Sequence, residues 1–397
     1  MHQMKFLFPT PVIYDGNESR YLQRDGARFA QYLSEQGHCA KKIILDEGIG
    51  LPQPQSPLLE KASITDWHNP KYWETHKPDL VLLYGGIAQR MLPIAKAIRP
   101  NTKILALKLD SSMGVVSPFL DPILMIKKIY HFSRQTKNIT YSVTYAILWW
   151  LKQLIFSKKY FYKEYFPLFD LITVENEYAA ENTRNYFYKI GLKKEAENII
   201  VLPHPVSKAF LQKKSHAKKN QIIAVAADWS NPLKGGSLLI KTLKLTLKKH
   251  PEYSAVIVGG GTNILEKQLK KTQKNISNRI TFVGKLPSEE IAPLYQESKI
   301  HVITSGSESG PICASEALCC GCSLVFTKNL KHLKSIANCG FATISTNRSA
   351  TSIAKAISTQ IRSWEEELNY SEQMSKKYAN CFDIETTTHK LTNCLNM

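Results

Sequence analysis

The chain has 397 residues, 43% hydrophobic and 21% charged, an ordinary globular balance that excludes a largely disordered chain and leads us to expect two domains. It carries 52 Lys and Arg against 33 Asp and Glu, a formal net charge of +19, which points to polyanionic company: nucleic acid, anionic lipid or a phosphorylated substrate. No uncharged apolar run reaches the ~18 residues of a conventional transmembrane helix, and the apolar stretch before Pro11 is too short for a secretory h-region.

Strand and helix signals alternate from the start. KFLFPT (5–10) predicts a strand, residues 20–36 a helix stopped by Gly37, and AKKIIL (40–45) a second strand. Residues 46–78 read as irregular, with prolines at 52, 54, 57, 70 and 78. LVLLYG (80–85) predicts a buried strand, 87–98 a helix and KILALKL (103–109) another strand. Residues 121–166 hold eight basic side chains against Asp121 and Glu164, a net +6, and are dense in aromatics, Trp149 and Trp150 among them. LITVEN (171–176), a helix over 177–189 and IIVLPHPV (199–206) close the first half.

Residues 208–220 are polar and basic, and we expect an interdomain hinge there. The alternation then restarts. Strands are predicted at 222–227, 254–259, 280–284, 300–305, 323–327 and 341–346, with helices at 236–249, 263–274, 288–297, 311–320, 330–337 and 349–368. The expected fold class is α/β: two Rossmann-like, doubly wound parallel-sheet domains facing a cleft. The expected division is 1–207, a hinge at 208–220, a second domain at 221–362 and closing helices over 363–397.

Eight cysteines stand at 39, 313, 319, 320, 322, 339, 381 and 394. No C-x2-C pair is matched by another at zinc spacing, so reduced thiols are expected. Cys319, Cys320 and Cys322 read as small buried packing residues rather than metal ligands.

Ligands of open parallel sheets sit at the carboxyl ends of the strands. ITSGSESGPICASEAL (303–318) puts Glu308 just after a strand and Glu316 eight residues on, inside the next helix. Two carboxylates there suit a polyhydroxylated ligand; the spacing alone equally allows a solvated loop Glu and a helix-surface Glu. AADWSNPLKGG (226–236) places Lys234 and glycine amides together at a strand end, which suits phosphate, although a helix-start lysine turned to water has the same sequence. It is not a Walker loop, and Gly259-Gly260-Gly261 lacks the dinucleotide fingerprint. Asp110, after 103–109 and before Ser111-Ser112, either binds an acceptor hydroxyl or caps the following turn. His204, in VLPHPV, reads as structural.

Taken together, residues 220–346 resemble the nucleotide-sugar domain of the retaining GT-B glycosyltransferases of family 4. The resemblance rests on Lys234-Gly235, AVIVGGG (255–261), ITFVGKLPSEEIAPLYQES (280–298) and the E-x7-E of Glu308 and Glu316, in that order. Residues 370–391 are similar to the family's closing helices, which cross back to the first domain. The resemblance implies that Lys234, beside Gly235, binds the donor diphosphate. It implies that Glu308 holds the transferred sugar, with Ser309, Gly310, Pro311 and Ile312 forming the loop there and the amides of Ser309, Gly310 and Ile312 turned to the ligand, and that Glu316 holds the ribose. Gly284, Lys285 and Leu286 would line the base, and Gly16 would approach the diphosphate from the first domain. Two positions depart from the family pattern. Asp228 stands where a basic residue is usual, so a phosphate contact is lost or supplied elsewhere, and E-S-G-P replaces E-G-F-G.

The reading implied is transfer of a sugar, with retention, from a nucleotide-diphosphate sugar to a saccharide or lipid-linked saccharide acceptor, in surface polysaccharide or lipopolysaccharide synthesis. Neither metal nor cofactor is expected, and Asp110 is the candidate acceptor-side group. Segment 121–166 is expected to dock on an anionic membrane at the cytoplasmic face of the plasma membrane, the alternative being that its aromatics pack between helices of the first domain. A sugar-nucleotide epimerase on the same fold is the nearest alternative. A nucleic-acid binder would leave Lys234, Glu308 and Glu316 unexplained, and two cleft carboxylates would repel a phosphate backbone.

Overall fold

The computed structural model describes residues 3–46, 48, 50–111, 114–115, 140, 143–144, 158–212, 218–270, 274–308, 312–366 and 370–396. The chain divides into two units, Met1–Leu202 with Cys394–Met397, and Pro203–Asn393.

The first unit is built on a seven-stranded parallel sheet in the order β3-β2-β1-β4-β5-β6-β7. Its strands are β1 (Lys5–Ile13), β2 (Cys39–Asp46), β3 (Leu59–Ser63), β4 (Leu80–Tyr84), β5 (Ile104–Leu109), β6 (Leu171–Val174) and β7 (Ile199–Val201). The stretch expected to be irregular thus contains β3 and two short helices, Ile64–His68 and Pro70–His76. LEKAS carries too little β-branched character to read as a strand. Its charges are absorbed locally at the sheet edge: Lys61 pairs with Asp46 at 3.0 Å, and Glu60 with Lys41 at 3.2 Å and His76 at 2.9 Å. The helix expected over 20–36 is two, Glu18–Leu22 and Asp25–Glu35.

One face of this sheet buries Leu7, Ile43, Val81, Leu83, Leu105 and Leu107 in the larger core. The alternate residues of the same strands point the other way, and two of them, Lys42 and Lys108, are lysines only 1% exposed. Lys108 Nζ donates to the Leu202 carbonyl, and Lys42 Nζ to the Tyr21 carbonyl at 3.3 Å. Tyr162, Tyr165 and Phe166, counted above in the basic-aromatic segment, are buried members of the first core. That corrects the expectation for this end of 121–166: these rings serve packing. Trp149, Trp150 and nearly all of 116–157 lie outside the described residues.

The second unit carries a six-stranded parallel sheet in the order β10-β9-β8-β11-β12-β13. The strands are β8 (Lys219–Asp228), β9 (Ser254–Gly260), β10 (Ile280–Gly284), β11 (Ser298–Ile303), β12 (Ser323–Thr327) and β13 (Ala342–Ser345). Successive residues feed two cores. Ile222, Ala224, Ala255, Ile257 and Val325 pack with helices Gly236–Lys249 and Ala350–Glu366. Ile223, Val256, Val258, Leu324 and Phe326 pack with helices Ser288–Glu297, Ile312–Cys319 and Tyr370–Phe382. A sheet covered on both faces accounts for the near-continuous apolar runs in the sequence. Cys319, Cys320 and Cys322 are buried in the second of these cores, as expected.

Part of the expected hinge is ordered structure of the second unit. Ser207 caps a short helix, Lys208–Leu211, whose Phe210 is 1% exposed, and β8 begins at Lys219. Residues 213–217 lie outside the described ones.

Candidate functional site

The order of the second sheet reverses between β8 and β11. Loops leaving two such strands diverge to opposite faces and leave a crevice at their carboxyl ends, where doubly wound sheets hold ligands. Lys234 follows β8 and Glu308 follows β11. Lys234 ends a short 3-10 turn, Pro232–Lys234, started by Asn231, whose side chain accepts from Leu233 N at 3.0 Å. Gly235 comes next, with φ +72°, and opens helix Gly236–Lys249. A Cβ at Gly235 would lie 2.6 Å from the Thr304 carbonyl oxygen, so only glycine permits this approach.

The turn and the loop after β11 are stitched together. Gly306 N donates to Leu233 O at 2.7 Å, and Thr304 Oγ1 to Lys234 O at 2.8 Å. Arg348, beyond β13, donates from Nε to Thr304 O at 3.2 Å. Lys234 Nζ donates to both oxygens of Glu308, at 2.7 and 2.9 Å, and the Ser305 hydroxyl donates to Glu308 Oε1. Both ends of this ion pair are largely shielded, with side chains 26% and 12% exposed.

Glu316 lies on helix Ile312–Cys319, half-buried. The Cys313 thiol, one turn earlier, is raised above its usual range by burial first, then by Glu316 and Glu308, with Lys234 opposing. Lys234, Glu308 and Glu316 thus all lie within electrostatic reach of Cys313. Tyr295, from helix Ser288–Glu297, is likewise raised by burial, with Cys313 and Glu316 adding.

The other predicted residues are distributed as follows. Gly284 closes β10; Lys285 is exposed, and its stem lies against Gly260, where a Cβ would meet Cε at 2.9 Å. Asp228 turns back on itself: its Oδ1 accepts from Ser230 N at 2.9 Å. Its carboxyl is lowered by the Ser230 hydroxyl and amide first, and also by the positive charge of Lys285. Leu286 packs partly buried against the second-unit core. Ile312 starts its helix; Ser309, Gly310 and Pro311 lie outside the described residues.

In the first unit, Gly16 sits in the loop after β1 and Asp110 is exposed after β5. Asp110 has charged and polar company on the lysine-bearing sheet face. Burial lowers Lys42 to about 8, with Asp25 and Asp110 resisting the shift. The Tyr84 hydroxyl donates to Asp25 Oδ2 at 3.1 Å, and its phenol is held well above its usual range by burial, with Asp25 and Asp110 adding.

Sequence reading places Ser305 in a loop whose amides approach a ligand but misses its hydroxyl contact with Glu308, and it misses Thr304, Cys313 and Arg348 as members of the site. Thr304 and Cys313 lie within the motif already singled out. Arg348 carries no local signal, because it reaches the site only through the order of the sheet.

Residues 207–377 match the family model for glycosyl transferases group 1. A stretch of 103 residues is 32% identical to a D-inositol 3-phosphate glycosyltransferase of Corynebacterium jeikeium, covering 24% of this chain and 25% of that protein. The match therefore spans about a quarter of that relative's length. Among solved structures, Anabaena Alr3699/HepE in complex with UDP superposes with TM-score 0.63 at 15% identity, covering 99% of this chain and 100% of that one. The apo form of the lipopolysaccharide outer core galactosyltransferase WaaB does so with TM-score 0.61 at 13% identity, covering 99% of each chain. Identities this low speak to fold alone. Residues 207–377 are thus similar to the glycosyl transferases group 1 family, within a chain whose two parallel-sheet units have the GT-B fold.

Proposed function

We propose that the chain is a retaining glycosyltransferase. It takes a sugar from a nucleoside-diphosphate sugar and passes it to a saccharide acceptor carried on a lipid, in surface polysaccharide or lipopolysaccharide assembly. One observation carries the reading: a paired ammonium and carboxylate, Lys234 and Glu308, in the segments that follow the two strands flanking the switch point of the second sheet. The UDP in the HepE structure and the acceptor class in the name of WaaB are consistent with it.

On this reading Lys234 neutralises the diphosphate as the glycosidic bond breaks, and the amides at the start of helix Ile312–Cys319 share that charge. Cation and helix end together take the part that a metal plays elsewhere, so no metal is called for. Glu308 holds hydroxyls of the transferred sugar and Glu316 those of the ribose; neither acts as a glycosidase acid or nucleophile. The leaving phosphate oxygen accepts the acceptor's proton on the same face, which retains configuration. Gly284, Lys285 and Leu286 line the base, Gly16 approaches the diphosphate, and Asp110 orients the acceptor hydroxyl. The enzyme works at the cytoplasmic face of the plasma membrane, held there by basic residues of segment 121–166.

A thermal-shift panel of nucleoside diphosphates and their sugars tests the donor. One base should raise the melting temperature in proportion to ligand over Kd, and turnover of that nucleotide sugar should need an acceptor. No shift from any nucleoside diphosphate would sink the reading. Conversion of the nucleotide sugar without an acceptor would identify an epimerase instead.

A further inference from the structure

Lys234 does not present a bare ammonium to an incoming phosphate. Both oxygens of Glu308 already contact it, at 2.7 and 2.9 Å, and the Ser305 hydroxyl holds the same carboxylate. We infer that Glu308 is a built-in competitor for the phosphate site, and that this competition lets the protein hold an intact donor in preference to the spent nucleoside diphosphate. The inference rests on the donor reading above and adds a specificity role to it.

The physical argument is one of exchange. A diphosphate that binds Lys234 has to displace the Glu308 carboxylate, because two anions at contact distance from one ammonium repel each other strongly in a shielded site. The displaced carboxylate has lost a charge-assisted hydrogen bond and needs donors in return. The hydroxyls of a transferable sugar supply them. A nucleoside diphosphate that has lost its sugar does not, so Glu308 returns to Lys234 and helps expel the product.

Inorganic pyrophosphate is the probe, because it carries the phosphates and no sugar. Calorimetry should find that Glu308→Gln binds pyrophosphate about ten-fold more tightly than the wild type, the scale of one released hydrogen-bonded ion pair. Ser305→Ala, which loosens the carboxylate without removing it, should shift affinity the same way by a smaller factor, and it serves if Glu308→Gln folds poorly. The double variant Lys234→Ala/Glu308→Gln should lose the gain. Equal or weaker pyrophosphate binding in a folded Glu308→Gln protein overturns the inference, as does absence of binding in every variant. The donor reading fails separately, if pyrophosphate binds by this pattern and no nucleoside diphosphate binds better than pyrophosphate.

Discussion

Gly235 sits where a left-handed backbone, a helix start and a carbonyl oxygen meet. Its φ is +72°, and a Cβ would stand 2.6 Å from Thr304 O and 2.8 Å from Arg348 Nη2. Gly235→Ala should therefore push the turn away from the loop after β11 and carry Lys234 with it. We expect a stability loss of roughly 1–3 kcal/mol from the strained conformation alone, read from urea midpoints, together with loss of donor binding. Lys234→Ala leaves the turn intact and removes only the cation. It should cost about 2–4 kcal/mol of transition-state stabilisation in kcat/KM. Near-wild-type turnover by a folded Lys234→Ala protein would remove Lys234 from the mechanism. Lys234-Gly235 became legible through the resemblance of 220–346 as a whole, because a helix-start lysine turned to water has the same local sequence. The ion pair was not legible, since its members stand 74 residues apart.

At the scale of elements, the second sheet is tied to its helices by a partly buried lysine and a fully buried histidine. Lys218, just before β8, donates to the carbonyls of Tyr295 at 3.0 Å, Ser298 at 2.9 Å and Cys320 at 2.9 Å. These lie at the carboxyl ends of helices Ser288–Glu297 and Ile312–Cys319, where carbonyls lack intrahelical partners. Lys218→Ala should cost about 2–4 kcal/mol in chemical unfolding, from three carbonyls that lose a charge-assisted donor. His301, on the central strand β11, is fully buried; its Nδ1 contacts Ile223 O at 3.2 Å and its ring stands edge-on to Tyr295 at 5.3 Å. Burial lowers its pKa to about 4. Between that value and the ~6.5 of an unfolded histidine, the unfolded chain binds a proton that the native protein refuses. This contribution is complete at neutral pH and is lost as pH falls through the window. Between pH 7 and pH 4.5 the wild type should lose about 2–3 kcal/mol more than His301→Gln does; equal losses would show that His301 is protonated at no such cost.

The whole molecule carries +19, and among the described residues no helix is long and apolar enough to cross a membrane. Burial of Tyr162, Tyr165 and Phe166 leaves the lysines, rather than these rings, as the membrane-facing part of the proposal. Lys152→Glu/Lys158→Glu/Lys159→Glu should release the protein from anionic liposomes, at ~1 kcal/mol per basic residue held near the surface. Donor binding should be unchanged. Sedimentation with anionic vesicles at wild-type levels would mean that the acceptor need not be lipid-linked.

The sequence by itself determined the class of the fold and the parts of the candidate site. Strands covered on both faces must be continuously apolar, and this marks β4, β9 and β11 wherever they stand. A glycine-rich turn before a helix and two glutamates eight positions apart are local patterns, readable within one loop and one helix. Tertiary structure alone decided what those parts do to one another. The lysines of AKKIIL and KILALKL look like surface charges until the second face of the sheet closes over Lys42 and Lys108. LEKAS becomes β3 only because β2 offers it an edge to pair with. The meeting of Lys234 with Glu308 depends on β8 and β11 being neighbours, a pairing of strands distant in the chain that only the folded sheet enforces.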